Sequence, residues 1–398
     1  MKELLQEAQG LFGYTQATRR DLHRHPELGF QEVRTAAVVA RELEAIGLDV
    51  TTGIAKTGVV GLLSGSKPGP TVLLRFDMDA LPIHEETAAP YASEIPGVMH
   101  ACGHDGHTSI GLTIAKLLQS HRADVSGSIK FCFQPCEESL GEEGLGGNEM
   151  MIREGVLESP GVDRTLTLHL WNEKPIGWMG IAGGPVMAGA EEFSIKIQGK
   201  GGHGASPHLT ADPIVTASQL VLALQTITSR NVAPLDAAVI SVTTIHSGTA
   251  FNIIPQTAEL TGTIRTFEPA VRQRVLDRLA QVAKGTAEAM GCIAQLASKQ
   301  VTPALINDVD LARRAQAVAQ TLLPEGELDA SGHFTMGAED MAFMQQKVPG
   351  CYLLVGSNNA EKNFNYAHHH PKFDFDEAAL PGAAALMSAI ALDFLAAD

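Results

Sequence analysis

The chain has 398 residues, which favours two domains over one, and its 44% hydrophobic content is ample for buried cores. A formal charge of −16 speaks against nucleic acid and an anionic membrane surface as partners, because both need clustered Lys and Arg. A small anionic substrate stays open, since one local Arg can dominate a pocket.

Cys102, Cys132, Cys136, Cys292 and Cys351 are an odd, scattered set rather than a disulfide framework, so a reducing, cytoplasmic setting is expected. The first residues carry Glu3 and Glu7 and no long apolar core, so no signal peptide is expected. The opening segment reads as one helix through about His23, then a turn at His25-Pro26-Glu27. A second helix spans 33–46 and stops at Gly47. Strands follow over 58–63 and 71–76, a helix over 108–118, and strands over 128–133 and 165–170. This alternation predicts an α/β fold, a central mostly parallel sheet with helices on both faces.

The texture changes near Gly183-Gly184-Pro185. Strands over 192–198, 237–246, 258–266 and 292–297, with helices over 213–229 and 269–290, give the order βαββαβ. In the second helix Val271, Val275, Leu279 and Val282 recur at helical spacing. The pattern is ferredoxin-like and reads as an inserted domain. The expected division is 1–185 and 299–398 for the larger domain and 186–298 for the insertion, whose exposed strand edges could pair between subunits. The apolar run 378–392 is short and interrupted by Pro381 and Gly382, which favours a buried terminal helix over a membrane span.

Cys102-Gly103-His104-Asp105-Gly106-His107 places a thiolate and an imidazole two residues apart, both donors that zinc accepts. Glu137 and Glu138 follow a buried strand at the edge where open α/β sheets bind ligands. On extended backbone neighbouring side chains point opposite ways, so one carboxylate could bind metal while the other faces substrate. That division of labour points to metal-assisted hydrolysis. Asp77 and Asp79 also end a strand, where a carboxylate can orient a ligand imidazole from behind. His169 ends another strand at the same edge. Lys200-Gly201-Gly202-His203-Gly204 lacks the Gly-Lys-Ser/Thr of a phosphate loop, so nucleotide binding is rejected and His203 is free to reach toward a site. Asn252 and Arg265 flank paired strands of the same domain, and Arg265 could grip a carboxylate in bidentate fashion.

Further stretches complete a recognisable set: Leu22-His23-Arg24-His25-Pro26-Glu27-Leu28, Asp77-Met78-Asp79-Ala80-Leu81-Pro82, Met99-His100-Ala101-Cys102-Gly103-His104-Asp105, Gln134-Pro135-Cys136-Glu137-Glu138, Gly201-Gly202-His203-Gly204-Ala205, Asn252-Ile253-Ile254-Pro255, Glu339-Asp340 and His369-His370-Pro371-Lys372-Phe373. In this order they resemble the amidohydrolase branch of the co-catalytic, dinuclear metallopeptidase superfamily. That branch holds hippurate hydrolase, N-acyl-amino-acid amidohydrolases (aminoacylases), plant auxin-conjugate hydrolases and some thermostable carboxypeptidases. The resemblance implies five metal ligands, Cys102, His104, Glu138, His169 and His369, with the Cys102 thiolate bridging two divalent ions (Zn, Mn, Co or Ni). It implies Glu137 as general base. It also implies His203 and Asn252 from the inserted lid domain, and more distantly Arg265, as groups contacting substrate or oxyanion. His369 is chosen over His370 because the family's ligand lies two residues before the Pro; the three consecutive His leave that choice open. Cys136 stands where relatives more often carry a small residue such as Ala, and Asn172 stands where Pro is common.

The activity implied is metal-dependent cleavage of the amide bond of N-acyl amino acids by an activated water. A metallocarboxypeptidase acting on short peptides is the close alternative, and a non-catalytic binding homologue a distant one. A zinc nucleobase deaminase needs Pro-Cys-x-x-Cys, which Pro135-Cys136-Glu137-Glu138-Ser139 fails to supply.

Overall fold

The computed structural model describes residues 2–396. The chain divides into two compact units, one of Met1–Gly184, Ile306–Gly332 and Phe343–Asp398, the other of Pro185–Leu305 with His333–Ala342. The second unit runs to Leu305, beyond the sequence-based limit of 298, because its last strand is the long Ile293–Thr302.

The first unit is built on an eight-stranded sheet. Its centre is four parallel strands in the order Ser126–Gln134, Lys67–Asp77, Arg164–Pro175 and Gly350–Asn358. The Asp49–Ile54 and Gly58–Ser64 hairpin adds an antiparallel edge. The short strands Trp178–Gly180 and Glu327–Asp329 close the other side. Central strands buried on both faces read as near-continuous apolar runs. Alternation then sorts their residues. Val72, Leu74, Phe76, Ile129, Phe131 and Phe133 enter one core with the long helices His104–Ser120, Val309–Leu322 and Leu380–Leu395. On the opposite face Cys132 meets Met151 of the short helix Gly147–Arg153, 3.6 Å between sulfur atoms. Helices thus cover both faces, unequally.

The C-terminal helix is apolar all round and buried in that core, as such a composition requires. The single opening helix expected through His23 is two, Lys2–Gly10 and Phe12–Arg24. Gly10, a poor helix former, ends the first.

In the second unit four antiparallel strands stand in the order Ala238–Ser247, Thr257–Thr266, Gly189–Gln198 and Ile293–Thr302. Helices Pro213–Arg230 and Pro269–Ala289 cover one face, where Phe193, Ile195 and Ile197 pack with Leu220, Leu224, Val275 and Leu279. The first of these helices starts cleanly. Asp212 Oδ1 accepts the N–H of Ile214 at 2.8 Å, and Pro213 occupies the first helical position.

Candidate metal centre

Strand register brings the candidate residues to one edge. Arg75 lies opposite both Cys132 and Thr167, and Asp77 opposite Gln134. Two residues beyond Thr167 on its own strand stands His169, so Asp77, Gln134 and His169 end level at the carboxyl side of three neighbouring strands. The helix expected from Thr108 begins instead at His104, with Gly103 before it in the left-handed region at φ 90°. His104 and His107 therefore share its first turn, ring centroids 5.4 Å apart.

The Glu137-Glu138 pair is not on extended backbone. The strand ends at Gln134, and Cys136 turns the chain at φ 48° with its N–H donated to Glu32 Oε1 at 2.8 Å. Both carboxylates still reach the centre, because Glu137, Glu138 and His104 each offer a ligand atom within 4.8 Å of the others.

Each imidazole is held by its far nitrogen. His104 Nδ1 lies 2.9 Å from the Asp79 carbonyl oxygen and 3.3 Å from Asp79 Oδ1. His169 Nδ1 lies 2.6 Å from the Leu170 carbonyl oxygen. A carbonyl can only accept, so both Nδ1 atoms carry a proton and Nε2 is the nitrogen each ring turns inward. His169 Nε2 is 3.5 Å from Cys102 Sγ. His104 Nε2 is buried with no hydrogen-bond partner among the described residues and stands 3.9 Å from Glu138 Oε1. His369 Nε2 is 3.2 Å from that same oxygen.

The three consecutive histidines do three different things. His368 Nε2 accepts the Asn172 N–H at 3.1 Å, and its ring lies between Trp171 and Phe373, centroids 5.2 and 4.9 Å away. His370 Nδ1 accepts the Lys372 N–H at 3.0 Å, and its ring stacks on Tyr366 at 4.6 Å. Of the three, His369 is the one turned to Glu138.

Asp79 bonds His104, whereas Asp77 bonds other groups. Its Oδ1 binds His107 Nδ1 at 2.6 Å and its Oδ2 takes the Arg75 guanidinium at 2.5 Å. His107 Nε2 accepts the Leu170 N–H at 2.9 Å, so both ring nitrogens are committed. His107 thus secures the strand beside His169, a role its place in the Cys102–His107 run did not reveal.

Sequence reasoning also missed a buried charge network behind this helix. Arg19 Nε meets Asp105 Oδ2 at 2.7 Å and Arg19 Nη2 meets Asp374 Oδ1 at 2.7 Å. His23 lies 2.7 Å from the same Asp105 oxygen and 3.2 Å from Glu85 Oε1. The local signal was Arg19 and His23 four apart on one helix face.

The electrostatics favour a cation. Burial, then the carboxylates of Glu138 and Glu137, push the Cys102 thiol well above its ordinary range. Burial would lower His104, yet Asp77 and Asp79 outweigh it and raise the imidazole to about 10. Burial and the neighbouring His107 hold His169 well below the usual range. Two of the donor groups that lie within 4.8 Å share Cys102, one with His104 and His169 and the other with Glu138 and His369. A sulfur common to two groups, an orphaned inward nitrogen and mixed S, N and O donors fit two adjoining divalent ions of borderline softness.

In the second unit His203 and Asn252 come together. His203 pairs with Ile253 in a two-stranded ribbon, and the Gly204 N–H donates to the Asn252 carbonyl at 2.9 Å. Arg265 lies eight residues past Thr257 on an extended strand, about 26 Å along its axis. There its guanidinium bonds Thr263 and the Ile264 carbonyl, and burial lowers its pKa.

Known proteins resemble this chain over nearly its whole length. An N-acetylcysteine deacetylase of Bacillus subtilis is 39% identical, over 94% of this chain and 95% of its own length. A thermostable carboxypeptidase of Saccharolobus solfataricus is 38% identical, over 94% of each chain. A solved Bacillus subtilis structure described as a dinuclear metal-binding peptidase of the M20 family matches with a TM-score of 0.85 and 35% identity, covering 97% of this chain and 99% of that one. The model of peptidase family M20/M25/M40 matches residues 73–393, a span holding Cys102, His104, Glu137, Glu138, His169 and His369, and the chain belongs to that family.

Proposed function

We propose that this metal-dependent amidohydrolase cleaves the amide bond of N-acyl amino acids, releasing a carboxylic acid and a free amino acid. The observation that carries the reading is Cys102 standing in two donor groups at once, with Glu137 beside Glu138 and His104 at the same edge.

The residues proposed to hold the ions are Cys102, His104, Glu138, His169 and His369. Two bound divalent ions (Zn, Mn, Co or Ni) would supply Lewis acidity toward the amide carbonyl and make a nearby water acidic. Glu137 would take the proton from that water as its oxygen bonds to the carbonyl carbon. Glu137 would then deliver the same proton to the nitrogen as the C–N bond breaks, so the leaving group departs as a neutral amine. Asp79 and the Leu170 carbonyl keep both imidazoles in the tautomer a cation needs.

The proposal extends to His203 and Asn252 as substrate-contacting groups. Arg265 is proposed for a separate contact, since its strand carries it away from the His203 ribbon. It extends also to self-association through the Ala238–Ser247 strand, an edge of its sheet with Ile245 exposed.

The deciding experiment is a substrate panel of N-acetyl and N-benzoyl amino acids beside dipeptides and longer peptides, run with each metal in turn. Faster turnover of the N-acyl compounds supports the proposal. Preference for peptides installs a metallocarboxypeptidase in its place, and no turnover at all a binding homologue.

A further inference from the structure

Asn172 is buried and bonds through every polar group it has. Its Nδ2 donates to the carbonyls of Tyr366 at 2.8 Å and Asp374 at 3.1 Å. Its Oδ1 accepts from Ser357 Oγ at 3.1 Å, and its own carbonyl accepts from Asn358 Nδ2 at 2.9 Å. Its N–H donates to His368 Nε2 at 3.1 Å. One amide group therefore closes both ends of the loop from Tyr366 to Asp374, and the adjoining peptide N–H seizes a side chain inside it.

That loop carries His369, whose backbone sits at φ 65°. A left-handed conformation costs a residue other than Gly about 1–2 kcal/mol and persists only where the surroundings impose it. The surroundings here are specific. The Ala101 carbonyl accepts the His369 N–H at 2.8 Å, the His370 and Lys372 turn follows, the Pro371 carbonyl accepts the Glu86 N–H at 2.8 Å, Arg19 and Tyr91 hold the Asp374 carboxylate, and Asn172 ties the two ends together.

We propose that Asn172 is a positioning residue for the metal centre. By pinching the Tyr366–Asp374 loop and fixing the acceptor nitrogen of His368, it holds His369 in the strained conformation that points Nε2 at Glu138. The inference rests on the reading of His369 as a ligand, and the test separates the two.

The test titrates metal-free protein with Zn(II) against a chromophoric chelator, with melting curves recorded alongside to establish folding. Asn172→Asp keeps the size, the backbone N–H and an acceptor, but it turns a carboxylate toward two carbonyls. It should weaken one of the two zinc sites by about 10–100-fold and leave the other unchanged. His368→Gln can place an amide oxygen where Nε2 stood and should bind both ions as the wild type does. His368→Leu fills the space between Trp171 and Phe373 without an acceptor and should show the Asn172→Asp defect. This pair carries the test if Asn172→Asp does not fold. A merely structural Asn172 would lower the melting temperature and leave both affinities intact; folded Asn172→Asp or His368→Leu with two wild-type affinities overturns the proposal. His369→Ala is the control. If it loses no site, the ligand reading has failed; if it loses one while Asn172→Asp loses none, only the positioning role has.

Discussion

Asp79 binds the segment that carries Glu138, its Oδ2 accepting the Glu138 backbone N–H at 3.0 Å. The carbonyl oxygen of the same residue takes the His104 Nδ1 proton at 2.9 Å. A single residue therefore sets the spacing between an imidazole and a carboxylate that arrive from different elements. Removing its side chain frees the Glu138 N–H and takes Oδ1 away from His104 Nδ1, 3.3 Å off, while the backbone carbonyl stays. Asp79→Ala should lower metal affinity by about 10–100-fold, read by chelator competition. Asp79→Asn, which keeps one side-chain acceptor for the Glu138 N–H, should lose less. Equal affinities for wild type and Asp79→Ala would show that the spacing is set elsewhere.

Glu137 and Glu138 are neighbours with separable assignments. Glu137→Gln keeps volume and polarity but cannot accept a proton, so two metal ions should remain bound while turnover falls by roughly 100- to 10,000-fold. Glu138→Gln should instead lose metal. Counting metal per chain in both variants beside kcat decides the matter, and a fully active Glu137→Gln removes the base assignment.

Two glycines in helices should respond to alanine with opposite signs. A Cβ on Gly106 would meet Leu170 Cδ1 and Phe375 Cζ, both at 2.7 Å. Because Leu170 neighbours His169, any shift that relieves the clash also disturbs the donors. Gly106→Ala should cost about 1–3 kcal/mol and weaken metal binding. Gly285 lies inside the helix Pro269–Ala289, and among the described residues nothing comes within 4 Å of its would-be Cβ. Gly285→Ala should stabilise by up to about 1 kcal/mol through helix propensity alone. Urea melts of both variants check the pair, and a Gly106→Ala protein as stable as wild type would refute the close approach.

What the sequence made legible was whatever a short window contains. The apolar runs ending at Phe76 and Phe133 announce central strands, and Cys102-Gly103-His104 and Glu137-Glu138 announce donors by type and spacing. The Asp49–Ile54 strand escaped, because it is an exposed edge with no apolar alternation. The start of the helix at His104 escaped as well. His104-Asp105-Gly106-His107 has no apolar period, and its first turn is held by burial and by Arg19 rather than by pattern. The extended reading of the Glu pair failed at Pro135 and Cys136, where the ladder stops and the backbone turns left-handed. The resemblance pointed to His369 among the three consecutive histidines, but their separate contacts, His368 with Asn172 and His369 with Glu138, join residues remote in sequence. Arg19 and Asp105 likewise meet across 86 positions, a distance over which composition says nothing.

The same buried network makes a pH prediction whose sign can be worked out. Burial and Arg19 depress the His23 imidazole, but Asp105 and Glu85 outweigh them and raise it to about 9. Of the other groups packed around it, Asp105 and Glu85 are held below their usual range, and Tyr91 is raised by burial. His100, 6.3 Å away between centroids, is lowered to about 4. Arg19, with its further partners Asp374 and Glu377, stays charged. His23 is the group here whose titration falls between neutrality and about pH 9. Its folded value lies above the unfolded 6.5, so the folded state binds the proton more tightly. The stabilisation is complete below pH 6.5, declines as pH rises, and is gone above about 9. The amount is on the order of 3 kcal/mol. Urea denaturation of wild type and His23→Gln at neutral pH and above pH 9 measures it, since the variant cannot titrate there. Wild type should lose more stability across that interval than the variant does. Identical losses would mean that His23 is not protonated in the folded protein and that Asp105 answers to Arg19 alone.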